Sequence, residues 1–451
     1  MYFDNSVNCL LSSAIRKERD DVMRKAVFGL CLLLVLSMLT FGQAKTTISV
    51  WLLGWTNEMV QIAQNLADSE FTPKTGITVS LEPLAYADSG NKVMFAMASR
   101  DTPDILSLGG IVADLALRGG LIDLAAFRPE EYAELEQQLF TSVMGPFTIE
   151  ARRFALPSDV SCLVGAYRVD ILSEMGMEIP KTWKEIIAAQ PKALAQGRTF
   201  AFMNFDELWA AYSMITQYGG QFFAPDGFAS ALDTPESIEG FINYVELFTK
   251  HGFPKEVPSI TPFITGENIS HVEGLWLYSK LTTAAPHLEG KWKIGLVPGV
   301  ERDGKLYNGS SPGSVLLAIS AFSKHKAEAW EFLKWFLGTD VLIQIANGII
   351  EKGSGYTWLP SSKHAMERVN LPEEVKRVYI EQIEASVPVP YGINSMVQYR
   401  YIVFAIQKAV VQNADPREAI LEAARDMNAD MARRKVEYQR FLAEFDKNNA
   451  R

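Results

Sequence analysis

Cysteine is scarce in these 451 residues: Cys9, Cys31 and Cys162 are the only three, and no two form a C-x-x-C pair. That spacing excludes a disulfide scaffold and a thiolate zinc site. The five histidines, His251, His271, His287, His325 and His364, never fall at metal-ligand spacing, so no cofactor or metal is expected. Basic side chains are outnumbered, 43 against 53 acidic, for a net charge of −10. Surfaces for nucleic acid or anionic lipid concentrate Lys and Arg, so neither partner is expected. Internal repeats, low-complexity tracts and long Ser/Pro linkers are also missing. What is present is apolar and aromatic: 48% hydrophobic residues and 11% Phe, Trp and Tyr. A chain of this length and composition folds, as two or three domains.

The longest apolar run lies near the start. Met23-Arg24-Lys25 opens a basic segment, Ala26 to Phe41 is mostly apolar, and Gly42-Gln43-Ala44 places small residues at a cleavage site. This is the plan of a secretory signal peptide, 23–44, cleaved after Ala44. Residues 1–22 are polar and read as a misassigned upstream extension, with Met23 the initiator. A transmembrane anchor is the competing reading, but a span needs about 20 apolar residues and this run is shorter. Lipidation at Cys31 fits poorly, because Leu32 to Leu36 continue the apolar run beyond it. The mature chain is expected to be exported and not inserted in a membrane. It would retain only Cys162, which suits an oxidising compartment.

Thr47 to Leu53 is β-branched and apolar and stops at Gly54, reading as a strand. Met59, Ile62, Ala63 and Leu66 then recur at helical spacing. Ile77 to Leu81 alternates as a second strand, Asn91 to Ser99 is helical, and Pro103 to Leu108 reads as a third, buried strand. Alternation of strand and helix predicts a parallel sheet covered by helices, with its ligand end near Leu53–Asn57 and Leu108–Ile111. Further on, helices are expected at Val169–Met175, Trp183–Gln196, Glu207–Tyr218, Ser237–Lys250, Ala327–Leu337, Glu373–Ala385, Val397–Val411 and within Pro416–Phe445. Strand-like runs lie at Val160–Tyr167, Trp292–Val297 and Ser314–Ile319.

Catalytic signatures are absent: no G-x-S-x-G elbow, no phosphate loop and no H-E-x-x-H helix. Carboxylates are plentiful, yet the sequence does not place two at a glycosidase separation. Aromatic residues carry more information. Trp55 follows the first strand, Trp209 lies just after Asn204-Phe205-Asp206-Glu207, Trp276 and Tyr278 sit in Gly274-Leu275-Trp276-Leu277-Tyr278, and Tyr356 and Trp358 flank a Gly-rich turn. Flat rings beside amides and carboxylates suit a sugar, whose C–H faces stack and whose hydroxyls need donors and acceptors. Trp183, Trp330 and Trp335 fit amphipathic helices and are expected in the core instead. If Gly274–Tyr278 is extended, Trp276 and Tyr278 share one face.

Several stretches, taken in order, resemble the sugar-binding family of extracellular solute-binding proteins of ABC importers, which includes maltose-binding protein. They are Arg118-Gly119-Gly120-Leu121-Ile122-Asp123-Leu124, Phe154-Ala155-Leu156-Pro157-Ser158-Asp159 followed by Tyr167 to Leu172, Pro180-Lys181-Thr182-Trp183-Lys184-Glu185, Tyr218-Gly219-Gly220, Leu232-Asp233-Thr234-Pro235-Glu236, Gly266 through Trp276, and Ser323-Lys324-His325-Lys326 through Phe336. The likeness spans roughly Thr46 to Ala424. Arg168 and Asn268-Ile269-Ser270 depart from the family pattern.

The resemblance implies an α/β, two-lobe periplasmic-binding-protein fold of class II type, each lobe a mainly parallel sheet flanked by helices. It implies an N-terminal lobe of 45–157 plus 315–351 and a C-terminal lobe of 158–312 plus 356–451. Crossovers would lie near Leu156–Ser161, Gly309–Ser314 and Lys352–Trp358. Ligand would be trapped between the lobes by hinge closure and passed to permease subunits, with no catalysis. The ligand-binding candidates are Trp55, Asn57, Asp159, Glu207, Trp209, Trp276, Tyr278, Gly313, Tyr356 and Trp358. A secreted glycosidase and a periplasmic sensor on the same fold are the alternatives, since function lives in the site.

Overall fold

The structure, a computed structural model, describes residues 46–144, 148–149, 152–225, 227–257, 259–353, 358–388 and 395–449. The proposed leader (23–44), the segment before it, and Tyr356 lie outside these residues.

Eight strands build the two principal sheets: β1 (Thr47–Leu53), β2 (Thr78–Leu84), β3 (Ile105–Leu108), β4 (Leu156–Pro157), β5 (Leu163–Tyr167), β6 (Ser270–Gly274), β7 (Lys293–Gly295) and β8 (Leu316–Ile319). The first sheet has the order β2-β1-β3-β8-β4 and the second β6-β5-β7. In the first, β1 pairs in parallel with β2 and β3, and β8 runs antiparallel to both β3 and β4. In the second, β5 is antiparallel to both neighbours. The expected parallel character therefore holds for the first three strands and not for the second sheet. The connections from β5 to β6 and β7 are long and helical, and such a sequence does not reveal the direction in which its strands return.

Alternation along β1 explains how the first sheet is covered. Ile48, Val50 and Leu52 face one buried cluster with Ile105, Leu317 and Ile319, while Leu53 joins Leu84, Leu106 and Leu108 in another. On the first face pack α1 (Asn57–Leu66) and two helices that return late in the chain. The second face is covered partly by a short helix, Val112–Leu117.

The other helices that frame the sheets include α2 (Tyr86–Ser99), α3 (Val112–Leu117), α4 (Trp183–Leu194), α5 (Leu208–Gln217), α6 (Pro235–Thr249), α7 (Leu277–Ala284), α8 (Lys326–Phe336), α9 (Thr339–Glu351), α10 (Glu373–Ala385), α11 (Ser395–Val410) and α12 (Pro416–Asn449). Local chemistry accounts for their starts. At α4, Thr182 and Glu185 form a capping box, each side chain taking the other's backbone N–H. At α6, Thr234 caps and Pro235 occupies the first turn, where its missing N–H costs nothing. A buried cluster of Tyr167, Trp183, Phe202, Tyr212, Phe241 and Ile406 gathers α4, α5, α6 and α11 around the second sheet.

The single helix α12 packs Ile420, Met427 and Met431 into that second cluster, yet its far end puts Tyr438 into the cluster of β1 and α3. Three backbone segments link the sheets side by side: Ser158 and Ser161 bond with Val315 and Gly313, and Val160 donates to the Leu359 carbonyl. Among the described residues no helix is long and apolar enough to cross a membrane, and no group of three His, Cys, Asp or Glu could hold a metal ion.

Candidate ligand-binding site

The order β2-β1-β3 reverses direction at β1, and the crevice at such a point opens beyond the strands' carboxyl ends. There the chain places Tyr86 after β2 and Gly109-Gly110 after β3, which form one wall of a cavity of about 690 Å³. The opposite wall comes from the second sheet and its helices: Leu163, Asn204, Glu207, Trp209, His271, Val272, Glu273, Trp276 and Lys280. Asp159, Ser161, Gly313, Ser314, Trp358 and Leu359, from the linking segments, also line it. A volume of this size lies within the roughly 300–1,000 Å³ common for small-molecule sites.

Three rings on these walls share a device. A Cβ added at Gly54, Gly274 or Gly313 would come within 2.4, 2.3 and 2.3 Å of Tyr86, Trp276 and Trp209 respectively. Each ring therefore lies directly against a bare glycine Cα. Glycine is doubly required at position 54, whose φ is +76°.

The second-sheet wall is electrostatically organised around Glu273. Its Oε1 accepts the Trp276 indole N–H at 2.7 Å and the Lys280 ammonium at 2.8 Å. Its Oε2 accepts Lys280 again at 2.9 Å and lies 3.2 Å from His271 Nε2. Burial alone would raise this carboxyl's pKa, but hydrogen bonds from His271, Lys280 and Trp276 outweigh it and hold the pKa near 2. Trp276 is thus fixed by its edge, with its ring left on the cavity wall.

Asp159 is different. Burial pushes its pKa up to about 6, against the Val315 N–H at 2.6 Å and the Ser314 hydroxyl at 3.3 Å, both donated to Oδ1. It braces one linking segment against another while lining the cavity. Glu207, at the N-terminus of α5, also has a raised pKa, from burial first and from Asp206 second. Among the described residues its carboxylate has no hydrogen-bond or ion-pair partner. Three more polar atoms of the lining, Ser161 Oγ, His271 Nδ1 and Trp358 Nε1, are buried without a hydrogen-bond partner among the described residues. Such orphans are uncommon in folded chains and cluster where a site has work to do.

Of the candidates read from sequence, Asp159, Glu207, Trp209, Trp276, Gly313 and Trp358 converge on this cavity. Three do not. Trp55 is buried against Phe336 and Trp358, with ring centroids 6.0 and 5.4 Å away, so it packs behind the lining. Asn57 is exposed in the first turn of α1, beyond the capping Thr56, and is not among the residues that line the cavity. Tyr278 packs on Trp292 at 5.8 Å, because the chain turns helical at Trp276 and the two rings no longer share a face. Trp183 and Trp330 are buried as expected, and Trp335 packs against the core from its edge. The departure at Arg168 is structural: its guanidinium pairs with Asp170 at 2.7 Å and reaches the Phe263 carbonyl.

Sequence reading missed Tyr86, His271, Glu273 and Lys280. Tyr86 is the first residue of α2, two residues beyond the strand's end, and no glycine-rich loop advertises it. The other three meet only because β6 ends at Gly274 and the next turn folds Lys280 back over it.

A cleft lined from two α/β lobes defines the class of two-lobe solute-binding proteins. Residues 55–342 match the family of bacterial extracellular solute-binding proteins, and the chain belongs to it. It is 24% identical over 424 residues to a galactooligosaccharide-binding protein of Bacillus subtilis (strain 168), covering 88% of this chain and 95% of that one. It is 26% identical over 404 residues to a maltotriose-binding protein of Pyrococcus abyssi, covering 83% and 79%. Its fold is similar to that of the sugar-binding protein MalE from Xanthomonas citri, with a TM-score of 0.76 at 19% identity over 87% of this chain and 99% of that one.

Proposed function

We propose that this protein is the solute-capturing component of an ABC importer, closing two lobes on a sugar or oligosaccharide and delivering it to permease subunits. The observation that carries the reading is the trio of glycine-seated rings, Tyr86, Trp209 and Trp276, around one cavity with carboxylates between them. Flat apolar faces beside strong acceptors match a pyranose, which offers C–H faces and hydroxyl donors together. The relatives named for galactooligosaccharides and maltotriose support the same ligand class.

In this reading the lobes are 45–157 plus 315–351 and 158–312 plus 356–451, hinged at the linking segments. The chain is exported to the periplasm after cleavage at Ala44 and acts as a monomer. Binding rather than turnover is its task. Of the three lining carboxylates, Glu273 is tied to Lys280 and Asp159 to the Val315 backbone, which leaves Glu207 without a second free carboxylate to act with as a paired acid and base.

A thermal-shift screen against neutral mono- and oligosaccharides, followed by calorimetric titration, tests the reading. Ligand at about 100 times its Kd should add about 2.7 kcal/mol of stability. Hydrolysis of glycosides by the purified chain, with no saturable binding, would overturn it.

A further inference from the structure

Resting on the sugar-site reading, we infer that the cleft selects by charge: it takes neutral sugars and sugars bearing a basic nitrogen, and rejects acidic ones such as uronates and sulfated or phosphorylated sugars. Among the described residues the lining contains three carboxylates, Asp159, Glu207 and Glu273, and a single Lys or Arg, Lys280. That one ammonium is already committed, bonded to both oxygens of Glu273 at 2.8 and 2.9 Å. The pair is neutral overall and is further held by Trp276 and His271. No uncommitted ammonium or guanidinium remains on the described lining to receive an anionic group.

What remains is acceptor. The Glu207 carboxylate is half-buried on the cavity wall with no partner among the described residues, and Asp206 beside it deepens the negative potential. A partly desolvated carboxylate of this kind gains from hydroxyl or ammonium donors on a ligand. It repels a carboxylate, sulfate or phosphate, and closing the lobes strengthens the repulsion by removing water. Glu207 is therefore the residue that sets the sign of the charge the site accepts, and Glu273 is the residue that withholds Lys280 from acidic ligands.

The test starts from the tightest-binding neutral oligosaccharide of the screen and two derivatives, one with a primary hydroxyl oxidised to a carboxylate and one with it replaced by an amine. In titration calorimetry the carboxylated form should bind wild type at least about 100-fold more weakly than the parent, and the aminated form within about tenfold of it or better. Glu207→Gln should narrow the carboxylate penalty at least tenfold. Glu273→Gln, which releases Lys280, should narrow it as well. A carboxylated derivative that binds wild type as tightly as the parent overturns the inference, and so does a penalty unchanged in both variants, which would be steric. If no neutral sugar binds wild type at all, the sugar-site reading itself fails, an outcome distinct from either.

Discussion

A tryptophan can serve packing or recognition, and Trp276 carries the marks of the second. It is only partly buried, it lines the cleft, and its indole N–H is held by Glu273. A core tryptophan replaced by alanine costs about 3–5 kcal/mol. Trp276→Ala should instead cost about 2 kcal/mol or less in urea unfolding of the free protein, because Glu273 keeps Lys280 and His271 as partners. Sugar affinity should fall at least tenfold; a large stability loss with unchanged affinity would assign the ring to the core. Asp159 makes a different prediction through proton linkage. Its pKa is raised to about 6 in the folded chain from an ordinary carboxyl value of 3.8. The folded state therefore binds the proton more tightly than the unfolded state between these values. Its contribution is fully present below the ordinary value of 3.8 and is lost as pH rises through about 6. Glu273, held near 2, acts in the opposite sense and at lower pH, its contribution being lost as pH falls. Asp159→Asn should flatten the wild-type decline in stability between about pH 4 and pH 6, by on the order of 1–3 kcal/mol. Parallel pH profiles for wild type and variant would remove Asp159 from this role.

At the level of elements, the site depends on where strands stop and on which glycine follows or faces them. Gly313, in a linking segment bridged to Ser161, seats Trp209 from α5, and a Cβ there would land 2.3 Å from the ring's far end. Gly313 is not a positive-φ glycine, so alanine brings no backbone strain. The indole can yield by swinging into the cavity. Gly313→Ala should therefore leave stability within about 1 kcal/mol while weakening sugar binding at least tenfold, read by urea unfolding and calorimetry together. The same elements explain what was legible beforehand. Blocks such as Lys181-Thr182-Trp183-Lys184-Glu185 and Thr234-Pro235-Glu236 could be matched because they are helix starts, whose chemistry is local and tightly constrained. Glu373–Ala385 was read to the residue, its apolar spacing being uninterrupted. Six of the ten site candidates converge on the cavity: Asp159 and Trp276 close matched blocks, Glu207 and Trp209 flank the start of α5, and Gly313 and Trp358 lie at expected crossovers. The antiparallel return of β5 to β6 and β7 depends on contacts far apart in sequence, which no local pattern encodes. Tyr278 was misplaced by one assumption, that the strand continued through Trp276. Tyr86 was missed because helix α2 begins five residues earlier than its apolar spacing alone implied.

For the molecule as a whole, the question is how a ligand joins two lobes that are already linked. The second-sheet wall supplies most of the polar groups and two of the three rings, whereas the first-sheet wall supplies backbone at Gly109-Gly110 and the ring of Tyr86. Tyr86 is 62% exposed, an unusually open position for a ring seated on a glycine. A ligand shifts an open–closed equilibrium only by its differential affinity for the two forms. In the proposed closure, contacts to the second wall are made in both forms and give affinity without closure. Contacts to Tyr86 strengthen only as the walls approach, so they supply the difference, with about 1–2 kcal/mol from burying the ring. The two walls should therefore separate under mutation. Trp276→Ala should weaken binding itself, so that contraction is recovered at saturating sugar. Tyr86→Ala should lose about tenfold in affinity, keep the stability of the free protein within about 0.5 kcal/mol, and show a reduced contraction even when saturated. Small-angle scattering of each protein with and without saturating sugar reads this directly as a change in radius of gyration. A saturated Tyr86→Ala protein that contracts as fully as wild type would mean that the drive to close comes from elsewhere, with the Gly109-Gly110 backbone the next place to look.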